Sequence, residues 1–195
     1  SDSDIFMWVT GILTNLSLKV FIEEKEVYTL AIQGPNSNAL LREITGNEID
    51  KLSFFSFKDF KIKNKNFLIS RTGFSKQGGY ELYIKNPSSG RWLWDLIIQE
   101  GFKFNLKVGT VNLIERVESG LLSYGNDMTI KDTPFDCSLG KYCSLESDYN
   151  FIGKKALLTQ SKRGPFRDIY KVYFEAHPNL DFFDVSGYAG DKKIG

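Results

Sequence analysis

Histidine is almost missing from this chain: His177 is the single one in 195 residues. A metal site built on several histidines is therefore excluded within it. Acid–base chemistry falls to carboxylates, tyrosines, lysines, water or the substrate itself. Cysteine is nearly as scarce. Cys137 and Cys143 are too few for a disulfide framework, and no second pair completes a zinc motif. Reduced thiols in a cytoplasmic protein are the default expectation. Charge of one sign is not in excess either, since 25 Lys and Arg face 24 Asp and Glu. A net charge of +1 gives no general attraction to nucleic acid or anionic lipid. The run Lys61-Ile62-Lys63-Asn64-Lys65 reads as a solvated hairpin rather than a basic patch. No apolar run is long enough to span a bilayer. The opening Ser1-Asp2-Ser3-Asp4 lacks the basic region of a secretory signal. Repeats and low-complexity tracts are absent.

Apolar and aromatic residues are plentiful, at 42% and 14%, enough to build the core of one large or two small domains. The most informative stretch is Ser70 to Tyr83, S-R-T-G-F-S-K-Q-G-G-Y-E-L-Y. It reads as a strand end, a glycine-rich turn and a second strand. Alternation puts Tyr80, Leu82 and Ile84 on one face, and Glu81, Tyr83 and Lys85 on the other. A carboxylate beside an aromatic ring suits a flat heterocycle with adjacent N–H donors: the carboxylate accepts the donors and the ring covers the plane. Phe74, on the turn, offers a second aromatic wall. The plainer alternative is a solvated glutamate on a hairpin strand.

Along the chain, helix-spaced apolar residues predict a helix over Asp4 to Leu16, and alternation predicts a strand over Leu18 to Ile22. A buried strand follows at Tyr28 to Gln33. Gly34-Pro35-Asn36 ends it, and Asn36 or Ser37 caps a helix running through Ile44. Phe54 to Ile62 and Phe67 to Arg71 pair as strands, and Tyr80 to Lys85 pairs next. An amphipathic helix spans Ser88 to Glu100, carrying Trp92, Trp94, Leu96 and Ile97 and stopped by Gly101. A further helix spans Gly109 to Gly120, with Thr110 as its cap, and another is entered from Asn150 to Gln160. Ser161 to Pro165 reads as a linker, and strands follow over Ile169 to Glu175 and Phe182 to Tyr188. The order β-α-β-β-β-α predicts an α+β fold, antiparallel sheet with packed helices.

Eight short blocks fall in a recognisable order. They are L-A-I-Q-G-P at 30–35, F-F-S-F at 54–57, S-R-T-G-F at 70–74 and G-Y-E-L-Y at 79–83. They continue with R-V-E-S-G-L at 116–121, Y-G-N-D at 124–127, T-P-F-D at 133–136 and F-I-G-K-K-A-L at 151–157. Together they resemble the folate-dependent aminomethyltransferase family, the glycine-cleavage T-proteins and their tetrahydrofolate-dependent demethylase relatives. The resemblance implies a folate-binding domain over 1–160 and the start of a small C-terminal β-barrel over 161–195. It also implies a longer family member, with a catalytic aspartate upstream of Ser1, so that the chain alone is inactive and holds no catalytic residue of its own.

Tetrahydrofolate is the cofactor the resemblance implies, and a small methyl donor is the partner, with neither nucleic acid nor membrane. A homodimer is compatible with it. Residue by residue, Glu81 matches the pterin-binding glutamate and Phe74 an aromatic position of the same pocket. Tyr83 falls where the demethylase branch has a pocket tyrosine. Phe55 falls near another aromatic wall, with Phe54 as the alternative if the alignment slips and ordinary core as the plainer reading of the pair. Arg116 and Glu118 have a plainer reading as helix-surface charges, and Tyr124 as a buried tyrosine.

One departure concerns Asn112, which stands where aminomethyltransferases carry an arginine. An amide does not replace a guanidinium at a carboxylate-binding site. Together with the opening S-D-S-D-I-F-M-W, this points to the branch that moves a methyl group from a sulfonium, dimethylsulfoniopropionate or a near relative, to tetrahydrofolate. The alternatives are aminomethyl transfer in glycine cleavage, a fused relative serving a dimethylglycine or sarcosine dehydrogenase, and a folate-binding domain without transferase activity.

Overall fold

A computed structural model describes residues 2–14, 16, 18–110, 113–170, 188–189 and 191–193. Two units divide the chain, Ser1–Leu121 and Leu122–Gly195. The first holds α1 (Asp2–Leu13), β1 (Tyr28–Gln33), α2 (Ser37–Thr45), β2 (Phe57–Ile62), β3 (Lys65–Ser70), β4 (Gly79–Ile84), α3 (Pro87–Gly101) and α4 (Leu113–Glu118). The second holds α5 (Lys154–Arg163) and a two-residue pair, β5 (Tyr188–Ala189) with β6 (Lys192–Lys193).

The four long strands form one antiparallel sheet in the order β1-β4-β3-β2. The expected alternation holds along β4. Tyr80, Leu82 and Ile84 are buried, while Glu81 and Tyr83 are half-exposed on the other face. The apolar face packs on α2 through Leu40 and Leu41, on α3 through Leu93, Leu96 and Ile97, and on Ile49 and Leu52 of the connection after α2. Trp92 lies at the margin of this core, stacked on Phe67 at 6.2 Å between ring centroids. Sheet and helices thus make the two-layer α+β arrangement expected from the element order.

Local chemistry explains the boundaries. Asn86 caps α3, its side chain accepting from the Ser88 N–H at 2.9 Å, and Pro87 takes the first helical position, where no donor is lost. The helix therefore starts one residue before the predicted Ser88. Asn36 occupies the cap position of α2, yet its amide donates to the Phe104 carbonyl at 3.0 Å and caps nothing. The β2–β3 hairpin is tighter than expected: Ile62 pairs with Lys65, so Lys63 and Asn64 alone make the turn. Leu18 to Ile22 is not a strand: among the described residues no strand pairs with it. Helix α1 ends at Leu13, short of the expected Leu16, and Ser161 to Arg163 continue α5 rather than starting a linker. Of the strands expected after Arg167, most of the sequence lies outside the described residues, and so does the expected start of the barrel.

In the second unit a buried carboxylate organises the loops. Asp136, 2% exposed, accepts from the Thr133 backbone N–H at 2.8 Å and its hydroxyl at 2.7 Å, and from the Phe166 N–H at 2.7 Å. Asp132 does likewise for the Thr129 N–H at 2.7 Å and also pairs with Arg167. These hydrogen bonds hold the Asp136 carboxyl well below the ordinary carboxylate range, the Thr133 hydroxyl first among the causes. A depressed folded-state pKa stabilises the fold fully above the unfolded value, about pH 4. That contribution is withdrawn as pH falls through the folded-state value. Asp136→Asn is expected to lower the melting temperature near neutrality, with the two melting curves converging in acid. A constant offset at every pH, read by circular dichroism, would mean that charge at Asp136 is not what stabilises these loops.

Candidate functional site

Register fixes the surroundings of Glu81. It lies opposite Ala31 of β1 and Ser70 of β3. Ser70 ends β3, so the chain turns back within two residues and brings Thr72 onto Glu81. The Thr72 hydroxyl donates to Glu81 Oε2. Ser70 Oγ is hydrogen-bonded to Thr72 Oγ1 and lies 3.3 Å from the Tyr83 hydroxyl. A chain of hydroxyls thus runs from Tyr83 through Ser70 and Thr72 to the carboxylate, and it fixes the rotamer of Glu81. Among the described residues, Oε1 accepts from no protein donor. One carboxylate edge is anchored and the other is available to a ligand.

Gln33 holds the glycine-rich turn in place. Its amide nitrogen donates to the Thr72 and Tyr80 carbonyls at 3.1 and 3.2 Å, and its oxygen accepts from the Ser75 hydroxyl at 3.0 Å. Beneath the turn, Tyr80 is buried and donates to Asn38 Oδ1, with the Arg71 guanidinium 5.8 Å from its ring. Burial pushes the Tyr80 hydroxyl pKa up, which keeps it a neutral donor.

A cavity of about 500 Å³ opens here, within the range of small-molecule sites. Strand β1 from Thr29 to Gln33 forms one wall. Glu81 and the turn residues Phe74 and Gln77 form a second, and Trp94 of α3 a third. Residues 106–110 and Glu115 of α4 complete it. Glu81 and Phe74 are therefore brought to one cavity, a carboxylate and an aromatic ring. Tyr83 is tied to Glu81 by hydrogen bonds but lines a separate hollow of about 230 Å³, next to Lys85 and Asn86. Phe55 is not part of the cavity lining. It sits on the loop before β2 at φ +59°, 75% exposed, with its ring 4.2 Å from that of Phe54. Phe54 is also exposed, so neither belongs to the core. Asn112 lies outside the described residues.

Two plainer readings change as well. Arg116 is buried and donates to the Leu121 carbonyl at 2.7 Å, closing the end of α4, so it is not a surface charge. Tyr124 is exposed rather than buried. Burial pushes the Cys137 thiol pKa up, which makes it a poor nucleophile. A larger hollow of about 650 Å³ lies at the start of α5, but among the described residues a single segment, 150–160, lines it. Among the described residues no group of three or more His, Cys, Asp and Glu is placed to hold a metal ion. No helix among them is long and apolar enough to cross a membrane.

Sequence reasoning missed Thr72, Gln33, Gln77, Trp94 and Glu115. Thr72 was within reach, because Ser70 and Thr72 bracket the strand end opposite Glu81. Trp94 reads from sequence as part of the buried helix face, yet it is 39% exposed and turned to the cavity.

The α+β domain thus brings a carboxylate and aromatic walls to one cavity. The chain belongs to the family described as GCVT N-terminal domain, which matches residues 1–147. It is 41% identical over 169 residues to the dimethylsulfoniopropionate demethylase DmdA of Ruegeria pomeroyi, covering 87% of this chain and 46% of that protein. It is 36% identical over 183 residues to an aminomethyltransferase of Caldanaerobacter subterraneus subsp. tengcongensis, covering 91% of this chain and 48% of that protein. Among solved structures, the glycine cleavage system aminomethyltransferase T of Bartonella henselae matches with a TM-score of 0.64 at 25% identity. That match covers 84% of this chain and 44% of the other. The chain spans about half the length of the relatives it matches.

Proposed function

We propose that this chain forms the folate-binding part of a tetrahydrofolate-dependent one-carbon transferase, and that its donor is a small sulfonium compound such as dimethylsulfoniopropionate. The observation that carries the folate reading is the cavity holding Glu81, anchored on one edge by Thr72, with Phe74 beside it. A pterin presents adjacent N–H donors on one edge and a flat face. The free edge of Glu81 fits the first and Phe74 the second. When bound, tetrahydrofolate supplies the nucleophilic nitrogen that accepts the carbon unit. This chain's residues bind and orient: Glu81 fixes the pterin edge, the Gln33-held turn sets the position of Phe74, and the apolar walls keep water away.

The sulfonium branch is supported by the 41% identity to a protein named as a sulfoniopropionate demethylase, and by an amide, Asn112, where aminomethyltransferases carry a guanidinium. A sulfonium methyl is already activated by positive charge, so alignment is the main requirement. The second reading, aminomethyl transfer, is supported by the relatives at 36%. Incubating the full-length protein with tetrahydrofolate and each donor separates the two. Methyltetrahydrofolate from the sulfonium is expected. Methylenetetrahydrofolate from an aminomethyl-lipoyl carrier, with no product from any sulfonium, would overturn the proposed branch.

For the folate site, Glu81→Gln is expected to weaken tetrahydrofolate binding by about 1–3 kcal/mol, the scale of a charge-assisted hydrogen bond. Titration calorimetry giving an unchanged affinity would remove Glu81 from the pterin site.

A further inference from the structure

We propose that Glu115 is a specificity-determining residue of this cavity, selecting a donor that carries a sulfonium charge over one of the same shape that lacks it. The inference rests on the sulfonium reading above and assigns its charge recognition to one residue. Among the described lining residues the charged groups are Glu81, Lys107 and Glu115. Two carboxylates and one ammonium leave the lining net negative. The pterin is uncharged, so it uses the hydrogen-bonding capacity of Glu81 without cancelling the charge. A cation is what the filled cavity still lacks.

Glu115 is built to meet it. The Gln77 side-chain amide donates to Glu115 Oε1. A neutral amide orients the carboxylate without neutralising it, and among the described residues no cation lies within salt-bridge distance of Glu115. Gln77 belongs to the turn that joins Phe74 to Glu81. The second carboxylate is therefore tied to the loop that carries the aromatic wall, although 38 residues separate Gln77 from Glu115. Glu115 is half-buried, where a charge acts more strongly than in bulk water. The aromatic rings of Phe74 and Trp94 in the same lining also favour an onium group. Loss of a methyl cation equivalent turns the sulfonium into a neutral thioether, so the same charge distinguishes donor from product.

The test compares two ligands of one shape on the full-length protein: dimethylsulfoniopropionate and 4-methylpentanoate, in which carbon replaces the charged sulfur. In Glu115→Gln, affinity for the sulfonium is expected to fall about tenfold, equivalent to about 1.4 kcal/mol. Neither the affinity for 4-methylpentanoate, which keeps the carboxylate and lacks the positive charge, nor that for tetrahydrofolate is expected to fall, and Glu115→Asp is expected to restore part of the sulfonium preference. Equal weakening of both ligands would make Glu115 a structural residue, and no weakening of either would remove it from donor recognition. Both outcomes overturn the inference and leave the sulfonium reading standing. Failure of the unmodified protein to bind the sulfonium at all would overturn both.

Discussion

Leu82→Ala is expected to destabilise the protein by about 2–5 kcal/mol, a large share of a typical domain's stability. Leu82 is fully buried on β4, an interior strand of the sheet. Its cross-strand partners are Leu30 on β1 and Ile69 on β3, so the side chain is packed from both sides as well as from the helix layer. The cost has two parts, the lost burial of the removed carbons and the cavity left behind. The cavity part is large here because sheet hydrogen bonds on both flanks prevent β4 from collapsing into the space. Urea unfolding gives the value directly. A loss below about 0.5 kcal/mol, the usual effect of a surface change, would mean that the β1-β4-β3 layer is not the centre of the core. Because Leu82 follows Glu81 on the opposite face, tetrahydrofolate affinity measured well below the unfolding transition is expected to change little. Stability and binding are thereby separable on adjacent residues of one strand.

That separability is also why so much of the site was legible. A strand alternates with period two, so Tyr80-Glu81-Leu82-Tyr83 declares its faces without any knowledge of the fold. The α3 helix was legible for a similar reason: its apolar spacing is regular and Gly101 marks its end, although the Asn86 cap and Pro87 start it one residue before the expected Ser88. What alternation cannot supply is a partner. Leu18 to Ile22 alternates as well as β4 does, but among the described residues nothing pairs with it, and Leu18, Val20 and Phe21 are exposed. Pairing is non-local, and the same limit hid the rest of the cavity. Gln33 reaches Thr72 and Ser75 across 39 and 42 residues. Gln77 reaches Glu115 across a comparable gap. No local spacing encodes such contacts, because polar side chains in a loop carry no periodicity. An aromatic pair in sequence signals burial or a ligand; here the Phe54 and Phe55 rings lie tilted against each other, both exposed on a loop and outside the cavity lining.

Gly79→Ala is expected to damage stability and folate binding together, which Leu82→Ala does not. Gly79 is the first residue of β4, at φ +154°, a conformation that side-chain-bearing residues rarely adopt. Backbone strain of this kind costs about 1–3 kcal/mol. Space adds to it: a Cβ on Gly79 would lie 2.5 Å from the Ile32 carbonyl oxygen. That atom is backbone in the neighbouring strand, so the clash is relieved only by moving β1 and β4 apart. Glu81 lies two residues on, and Gln33, the register partner of Gly79, holds the turn beneath Phe74. Separation of the strands here therefore displaces both groups proposed to hold the pterin. Gly78 provides the control. It has φ +81°, but a Cβ there would meet nothing within 4 Å. Gly78→Ala bears only the left-handed backbone cost, about 1–2 kcal/mol, and Gly78→Asn less, because asparagine tolerates that region. Thermal unfolding and tetrahydrofolate calorimetry on the three variants decide the matter. Gly79→Ala is expected to lose binding, whereas both Gly78 variants retain it. Equal effects at the two glycines would show that conformation alone matters and that the close approach of β1 to β4 does not shape the site.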